Sequence, residues 1–447
     1  MTYVHPNIHQ TYDSAHPLLR NRGPTEGRNR EALATQGQNN SILEPVGLPP
    51  GSSGLVNIGG NSCYMNAAVQ VISHTYFLRQ YLLDNEEKII QTLLVNAKKN
   101  FSSEGIHYDQ AIISEIKRKL DLEDFGPDML NTDERTIVLN STMTYQTLRL
   151  IKGLWKINCN VAPTSFRRIF TGARDKFFFG NDQHDSEEAY SCVIQKIHEE
   201  LAVVANVKLR ARDIVIHHPD PEEKKLLIAS FDEIESYYSK SYSKVLDIFS
   251  GFFHSSIKCP DETCGYSRDT FEAYFHLSLA IPPGKYTVSL TDCMEMYSTE
   301  EILDSNNLWR CDKCKELVPA RKQQLLWTSP VVLAIQLKRF GADRVRKDKR
   351  FVKYPMVDLD ISPIISPVNR AFQQKCYTYK LFSVINHDDS EIGSVNFGHY
   401  TAYCLDEDTD QWQIFNDAAP VKKINSSYIV TPEAYMLFYM RCDRLTK

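Results

Sequence analysis

An α+β fold is what this sequence predicts, with helices gathered in the first half of the chain and strands in the second. Three observations carry that expectation. From Cys63 to about residue 200, apolar side chains recur every three or four positions, the period of a helix that buries one face. From about residue 247 the pattern becomes β-like, with short runs rich in Val, Ile, Phe and Tyr. The two patterns occupy successive stretches of the chain, the order of an α+β protein.

Residues 1 to about 50 are rich in Asn, Arg, Gln, Gly and Pro and poor in large aliphatics, so they read as a disordered tail. His5, His9 and His16 have no metal-site spacing. The next stretch is Gly54-Leu-Val-Asn-Ile-Gly-Gly-Asn-Ser-Cys-Tyr-Met-Asn66, turn-formers followed by the apolar-periodic Met65, Ala68, Val69 and Ile72. That is a loop feeding a helix, with Asn61 or Ser62 as N-cap. Cys63 then sits in the first turn, where unpaired N–H groups and the helix dipole favour a thiolate. Such a thiolate is a nucleophile, and the polar loop beside it can supply oxyanion donors. A buried packing cysteine is the alternative.

Helices are expected over 76–98, 109–120 and 142–155, and again where Ala189, Tyr190, Val193, Ile194, Ile197 and Leu201 form one apolar face. Asp185 precedes that last helix as its N-cap, with Glu188 placed to complete a capping box. Residues 203–246 are a charged stretch and a helix, read as a surface insertion. Two close cysteine pairs follow in the β-like part, Cys259/Cys264 and Cys311/Cys314. On two β-knuckles they supply four thiolates for a tetrahedral structural zinc, free thiols being the alternative. Trp327 to Phe340 is dominated by branched apolar residues and reads as a buried central strand.

Gly398-His-Tyr-Thr-Ala-Tyr-Cys-Leu405, the turn Asp406–Asp410 and Gln411-Trp-Gln-Ile-Phe-Asn-Asp417 make a β-hairpin signal. A two-residue loop centred on Glu407 and Asp408 sets His399 opposite Asn416. A three-residue loop centred on Asp408 sets it opposite Asp417. Opposite residues share a face with Cβ atoms about 4.5–5.5 Å apart, so either register gives the imidazole an orienting partner.

Composition bounds the rest. The chain has 447 residues, 42% hydrophobic and 24% charged, which is ordinary for a globular protein with one large domain or two or three smaller ones. A net charge of −5 argues against a nucleic-acid binder. No run approaches eighteen apolar residues, so no membrane span is expected. Eleven cysteines, an odd number, and no signal peptide point to a reducing intracellular compartment, cytoplasmic or nuclear.

In this order the motifs resemble the ubiquitin-specific proteases, papain-like cysteine deubiquitinases. Gly54 to Asn66 is similar to their cysteine box, with one extra glycine. Gln183-His-Asp185 with Glu188 is similar to their glutamine box, and Pro330 to Phe340 to a family strand. Gly398 to Tyr403, Trp412 to Asp417 and Ala434 to Arg441 complete the likeness, which covers about residues 51–442. The resemblance implies a papain-like cysteine peptidase with thumb (about 51–203), fingers (about 247–340) and palm (the remainder) within a catalytic domain over 51–447. It implies Cys63 as nucleophile, His399 as base, Asn416 as orienter, Asp417 as a supporting group and Asn57, six residues before Cys63, at the oxyanion. It places Gln183 and Asp185 on the substrate, supports zinc on Cys259, Cys264, Cys311 and Cys314, and makes 341–350 a mobile connection near the substrate groove. No catalytic cofactor is implied. The partners implied are ubiquitin and ubiquitinated proteins, met by a monomer. A catalytically inactive ubiquitin-binding scaffold of the same fold is the alternative function, and a zinc-knuckle interaction protein without enzymology a third.

Overall fold

In a computed structural model the described residues are 49–444 except 104–107, 157–158, 174–176, 179, 210–214, 216–218, 285, 341–346, 374–375 and 389–397. Residues 1–48 of the expected tail, and 341–346 of the expected mobile connection, lie outside them.

Helix α1 (Cys63–His74) is the centre of the helical part, and every one of its residues is buried. Its small and apolar sequence allows that, because Ala67 and Ala68 let neighbouring elements approach closely. The helix expected over 76–98 is three shorter ones, Tyr76–Asp84, Glu86–Val95 and Ala97–Asn100. The breaks fall at Asn85 and Asn96, and the Asn85 amide donates back to Tyr81 O at 3.0 Å, a local bond that competes with the helix. Helix α2 (Met143–Lys156) begins on the Glu200 carboxylate, which accepts from the Met143 and Thr144 N–H groups at 2.8 and 2.7 Å. Glu200 belongs to α3 (Ser186–Leu201), which packs beside α1.

Helix α4 (Pro221–Lys240) starts on Asp220, whose side chain accepts from the Glu222 and Glu223 N–H groups. It is more than the expected surface insertion. Leu227, Phe231 and Ile234 are buried with Phe252, Phe271 and Trp327, so the helix roofs one face of a sheet. That sheet is antiparallel and contains β1 (Gly251–Lys258) and β2 (Ser267–Tyr274).

The main sheet begins with β3 (Leu277–Ala280). The run expected as one strand over 327–340 is two. Strand β4 (Arg321–Thr328) pairs with β1 in the first sheet, and β5 (Val332–Lys338) enters the main one. Pro330 lies between them; it lacks the N–H that an unbroken interior strand would need. The remaining strands are β6 (Thr378–Asp388), β7 (His399–Asp406), β8 (Gln411–Phe415), β9 (Lys422–Ile424) and β10 (Ala434–Arg441). Their order is β9-β8-β7-β6-β10-β5-β3, with the two-residue strand Leu359–Asp360 also pairing β6, and all pairs are antiparallel except β3/β5. Helix α1 packs on β7, which brings the cysteine helix and the histidine strand together. No helix among the described residues is long and apolar enough to cross a membrane.

The β7–β8 hairpin corrects both expected registers. Asp406 lies opposite Gln411, Leu405 opposite Trp412 and Tyr403 opposite Ile414, so the loop has four residues, Glu407 to Asp410. The longer loop is held by the Asp406 carboxylate, which accepts from Thr409 N–H at 2.8 Å and Thr409 Oγ at 2.6 Å. Asp410 closes it in left-handed backbone, φ +52°. Continued outward, this register puts neither Asn416 nor Asp417 opposite His399. Asn416 is the diagonal neighbour, still on the face that carries the imidazole.

Candidate active site

Cys63 is the first residue of α1 and is 3% exposed. Ser62 occupies the N-cap position, as one of the two expected residues, but makes no side-chain cap. Its hydroxyl and its N–H both go to Asn57 Oδ1, at 3.0 and 2.8 Å. The Asn57 amide is thereby oriented, with Nδ2 turned away from Ser62. Nδ2 donates to Asp417 Oδ2 at 2.8 Å, and the other carboxylate oxygen accepts from Asn66 Nδ2 at 2.8 Å. Asp417 O also accepts from Leu55 N–H at 2.9 Å. Asp417 thus ties residues on both sides of the nucleophile to the end of the β7–β8 hairpin. Two local features allow it. Asp417 itself is in left-handed backbone, φ +46°, which Asp tolerates better than most residues. Gly54 faces it, and a Cβ there would lie 2.7 Å from Asp417 O.

His399 and Asn416 meet directly. Asn416 Oδ1 accepts from His399 Nε2 at 2.7 Å, and since an amide oxygen only accepts, Nε2 carries the hydrogen. Nδ1 is then the nitrogen left for Cys63. A hydrogen bond to Cys63 raises the imidazole to about 9, overcoming the burial that would lower it, with further upward help from Asn416 and Asp417. The geometry favours a charged imidazolium beside sulfur, the arrangement that activates a cysteine.

Asp185 is the N-cap of α3, as expected, but its Oδ1 accepts from Glu187 N–H at 2.8 Å, one residue earlier than the capping box predicts. Its other oxygen accepts from Tyr435 Oη. Burial pushes this carboxyl up to about 6, against the lowering effect of both hydrogen bonds. A cationic side chain arriving beside it would offset that burial. Gln183 Oε1 accepts from Gly398 N–H at 3.4 Å, beside His399. Asn66, Asn181 and Arg167 were not singled out from sequence. Asn66 lies inside the quoted cysteine stretch, and Asn181 is two residues before Gln183, which were the available signals.

Cys259 and Cys264, from the turn between β1 and β2, converge with Cys311 and Cys314, from the turn between the short strands Trp309–Arg310 and Leu317–Val318, and all four Sγ atoms lie within 4.8 Å of one another. Cys264 Sγ and Cys311 Sγ are 3.6 Å apart. Four sulfurs at about 2.3 Å from a tetrahedral zinc lie about 3.8 Å from each other, so the donor set fits that ion. Both loops turn in the same way. The residue after each second cysteine is left-handed, Gly265 at φ +55° and Lys315 at φ +66°.

The comparisons with known proteins bear on the family and the fold. The family model described as ubiquitin carboxyl-terminal hydrolase matches residues 53–439. A probable ubiquitin carboxyl-terminal hydrolase of Acanthamoeba polyphaga mimivirus is 41% identical over 432 residues, covering 88% of this chain and 91% of that protein. Ubiquitin carboxyl-terminal hydrolase 2 of Homo sapiens is 30% identical over 398 residues, covering 87% of this chain and 55% of the relative. The chain therefore spans about half the length of that human protein. Among solved structures, the yeast SAGA DUB module with a mutant Sgf73 is similar at TM-score 0.57 and 20% identity, covering 90% of this chain and 71% of that chain. The SAGA Ubp8/Sgf11/Sus1/Sgf73 DUB module bound to ubiquitin aldehyde is similar at TM-score 0.55 and 22% identity, covering 90% and 72%. These last two bear on the fold, which is papain-like. A family match across most of the chain and the identity to the viral relative together show that the chain belongs to the ubiquitin carboxyl-terminal hydrolases, the cysteine-type deubiquitinating proteases.

Proposed function

We propose that this chain is a thiol-dependent deubiquitinase that hydrolyses the bond after the C-terminal glycine of ubiquitin in conjugates or precursors. The observation that carries the reading is the His399 imidazole raised to about 9 by Cys63 and held by Asn416. Cys63 attacks the glycine carbonyl, and the oxyanion is met by the Asn57 amide and the uncapped first turn of α1. The His399 imidazolium gives its proton to the leaving amine, leaving a thioester. Neutral His399 then takes a proton from water, which attacks the thioester and frees ubiquitin and Cys63. Asn416 keeps the ring in place, and Asp417 keeps Asn57 in place.

Substrate contacts follow from the same reading. Asp185 and Gln183 line the path of an extended tail that carries arginines. The ubiquitin body rests on the open face of the β1–β2–β4 sheet, where Phe253, Ile257, Arg268 and Trp309 line a recess of about 310 Å³. The opposite face is closed by α4. On this division the thumb is about 51–203, the fingers about 247–340 and the palm the remainder. The protein works as a monomer in the cytoplasm or nucleus. A ubiquitin C-terminal electrophile should label wild-type protein at Cys63 and leave Cys63→Ala unlabelled; labelling elsewhere would remove the nucleophile assignment.

The proton carried by His399 makes a pH prediction. A raised folded value means the imidazolium is favoured by the fold, fully below the ordinary 6.5 and lost as pH rises through about 9. The basic limb of kcat/KM is therefore expected near pH 9. In Cys63→Ala the main cause of the rise is gone, so the His399 midpoint should fall, as read by NMR. An unmoved midpoint would contradict the pairing.

Zinc is the structural cofactor in this reading, held by Cys259, Cys264, Cys311 and Cys314. When bound it supplies folding free energy to the fingers and no reaction step. Metal analysis of unchelated protein should find about one zinc per chain, the number a four-thiolate site takes. Cys311→Ala should release it and lower the melting temperature. Metal-free protein with an unchanged melting curve would refute the site.

A further inference from the structure

Between Asn57 and Cys63 the chain makes a short turn over Ile58–Gly60, in which Gly59 and Gly60 are both left-handed, φ +76° and +83°. The two glycines meet different surroundings. A Cβ on Gly60 would touch nothing within 4 Å, so this residue bulges into open space. A Cβ on Gly59 would run into the Asn181 amide. Asn181 Nδ2 donates to Gly59 O at 2.7 Å, and Asn181 O accepts from Asn61 Nδ2 at 2.8 Å. The residues on either side of Gly60 are thus tied to one partner, and the bulge is closed at its base. Asn181 is itself fixed, because Arg167 Nη2 donates to its Oδ1 at 2.8 Å and to Gly180 O at 3.4 Å.

We propose that Asn181 is a positioning residue for the oxyanion site, acting through the closed turn on Asn57. Left open, a turn with two left-handed glycines has many conformations of similar energy, because glycine lacks the Cβ that restricts other residues. The six-residue path from Asn57 to Cys63 would then vary in length, and Asn57 would lose its register with the Ser62 amide. With Gly59 and Asn61 both bonded to Asn181, the path has one length. Arg167 supports this from its own helix and should matter less. The inference rests on reading Asn57 as an oxyanion donor.

The test uses the full chain and a fluorogenic ubiquitin C-terminal substrate. Asn181→Ala should lower kcat by about 10-fold or more while KM stays within about twofold, the signature of an interaction made in the transition state. Asn57→Ala should lower kcat by about 10²–10³-fold, the usual cost of one oxyanion donor. The double variant should fall no further than Asn57→Ala, because Asn181 acts only through that side chain. Iodoacetamide should alkylate Cys63 in Asn181→Ala at the wild-type rate. Additive losses in the double variant, an unchanged kcat in Asn181→Ala, or slowed alkylation would each overturn the inference while leaving an active enzyme and its proposed function standing. A wild-type chain that does not turn the substrate over would overturn the function, and this inference with it.

Discussion

Cys63→Ala is expected to lose on the order of 10⁴–10⁶ in kcat, since removing a nucleophile removes the covalent route and leaves only binding and oxyanion stabilisation. Ubiquitin affinity should remain near wild type. The side chain is 3% exposed at the start of a fully buried helix, but the change deletes a single sulfur, so the cost in stability is about 1 kcal/mol. Cys63→Ser preserves the volume and should be just as inactive, because a serine hydroxyl at this site is far less acidic than the thiol it replaces. Turnover measured beside a ubiquitin binding titration checks both variants. Residual activity above about one part in a thousand in the alanine variant would move the nucleophile elsewhere.

Asp417→Ala should be the most damaging substitution outside Cys63 and His399. It removes the acceptor shared by Asn57 Nδ2 and Asn66 Nδ2. Asn66, 2% exposed, then keeps only its long bonds to Leu55 O and Val56 O, at 3.4 and 3.5 Å, and losing the short one costs about 1 kcal/mol. Alanine is also strained at φ +46°, by about 1–2 kcal/mol. We expect kcat to drop by about 10²–10³-fold, as for a lost oxyanion donor. Asp417→Asn separates the two causes, because Asn tolerates left-handed backbone yet offers only one acceptor oxygen. It should recover stability and little of the rate. Asn416→Ala, in contrast, should lower the His399 midpoint, since the Asn416 bond is one of the causes that raise it. A full rate in Asp417→Asn would show that the carboxylate does not hold Asn57.

Much of this site was legible in the sequence because its chemistry sits in short local patterns. Turn-formers before an apolar period placed Cys63 at a helix start, and the helix does start there. What escaped was non-local or conformational. A two-residue loop would have set His399 opposite Asn416 and a three-residue one opposite Asp417, and neither register occurs. His399 and Asn416 meet because the four-residue loop leaves Asn416 on the diagonal. Nothing in composition announces the left-handed turn at Asp417 or the retreat of the Ser62 hydroxyl to Asn57. Helix α4 was expected as a helix, but its cover over Phe252, Phe271 and Trp327 depends on residues about 20 to 100 positions away. Zinc-ligand spacing was readable because thiolate geometry restricts it to few patterns.

The ties made by Asp417 also join distant parts of the chain. Asn57 and Asp417 are separated by 360 positions. Strand β10, buried at all eight residues, lies inside the main sheet between β6 and β5 although it is the last strand of the described chain. Loops of this length close late, and contacts between distant parts of a chain form slowly. During synthesis Cys63 leaves the ribosome hundreds of residues before Asp417, and N-terminal segments fold first where they can. Here the helical part alone has no histidine strand to pack on and no carboxylate to orient Asn57. On the proposed roles, a growing chain therefore carries its thiol without its base or its oxyanion donor in place until the two ends of the domain join.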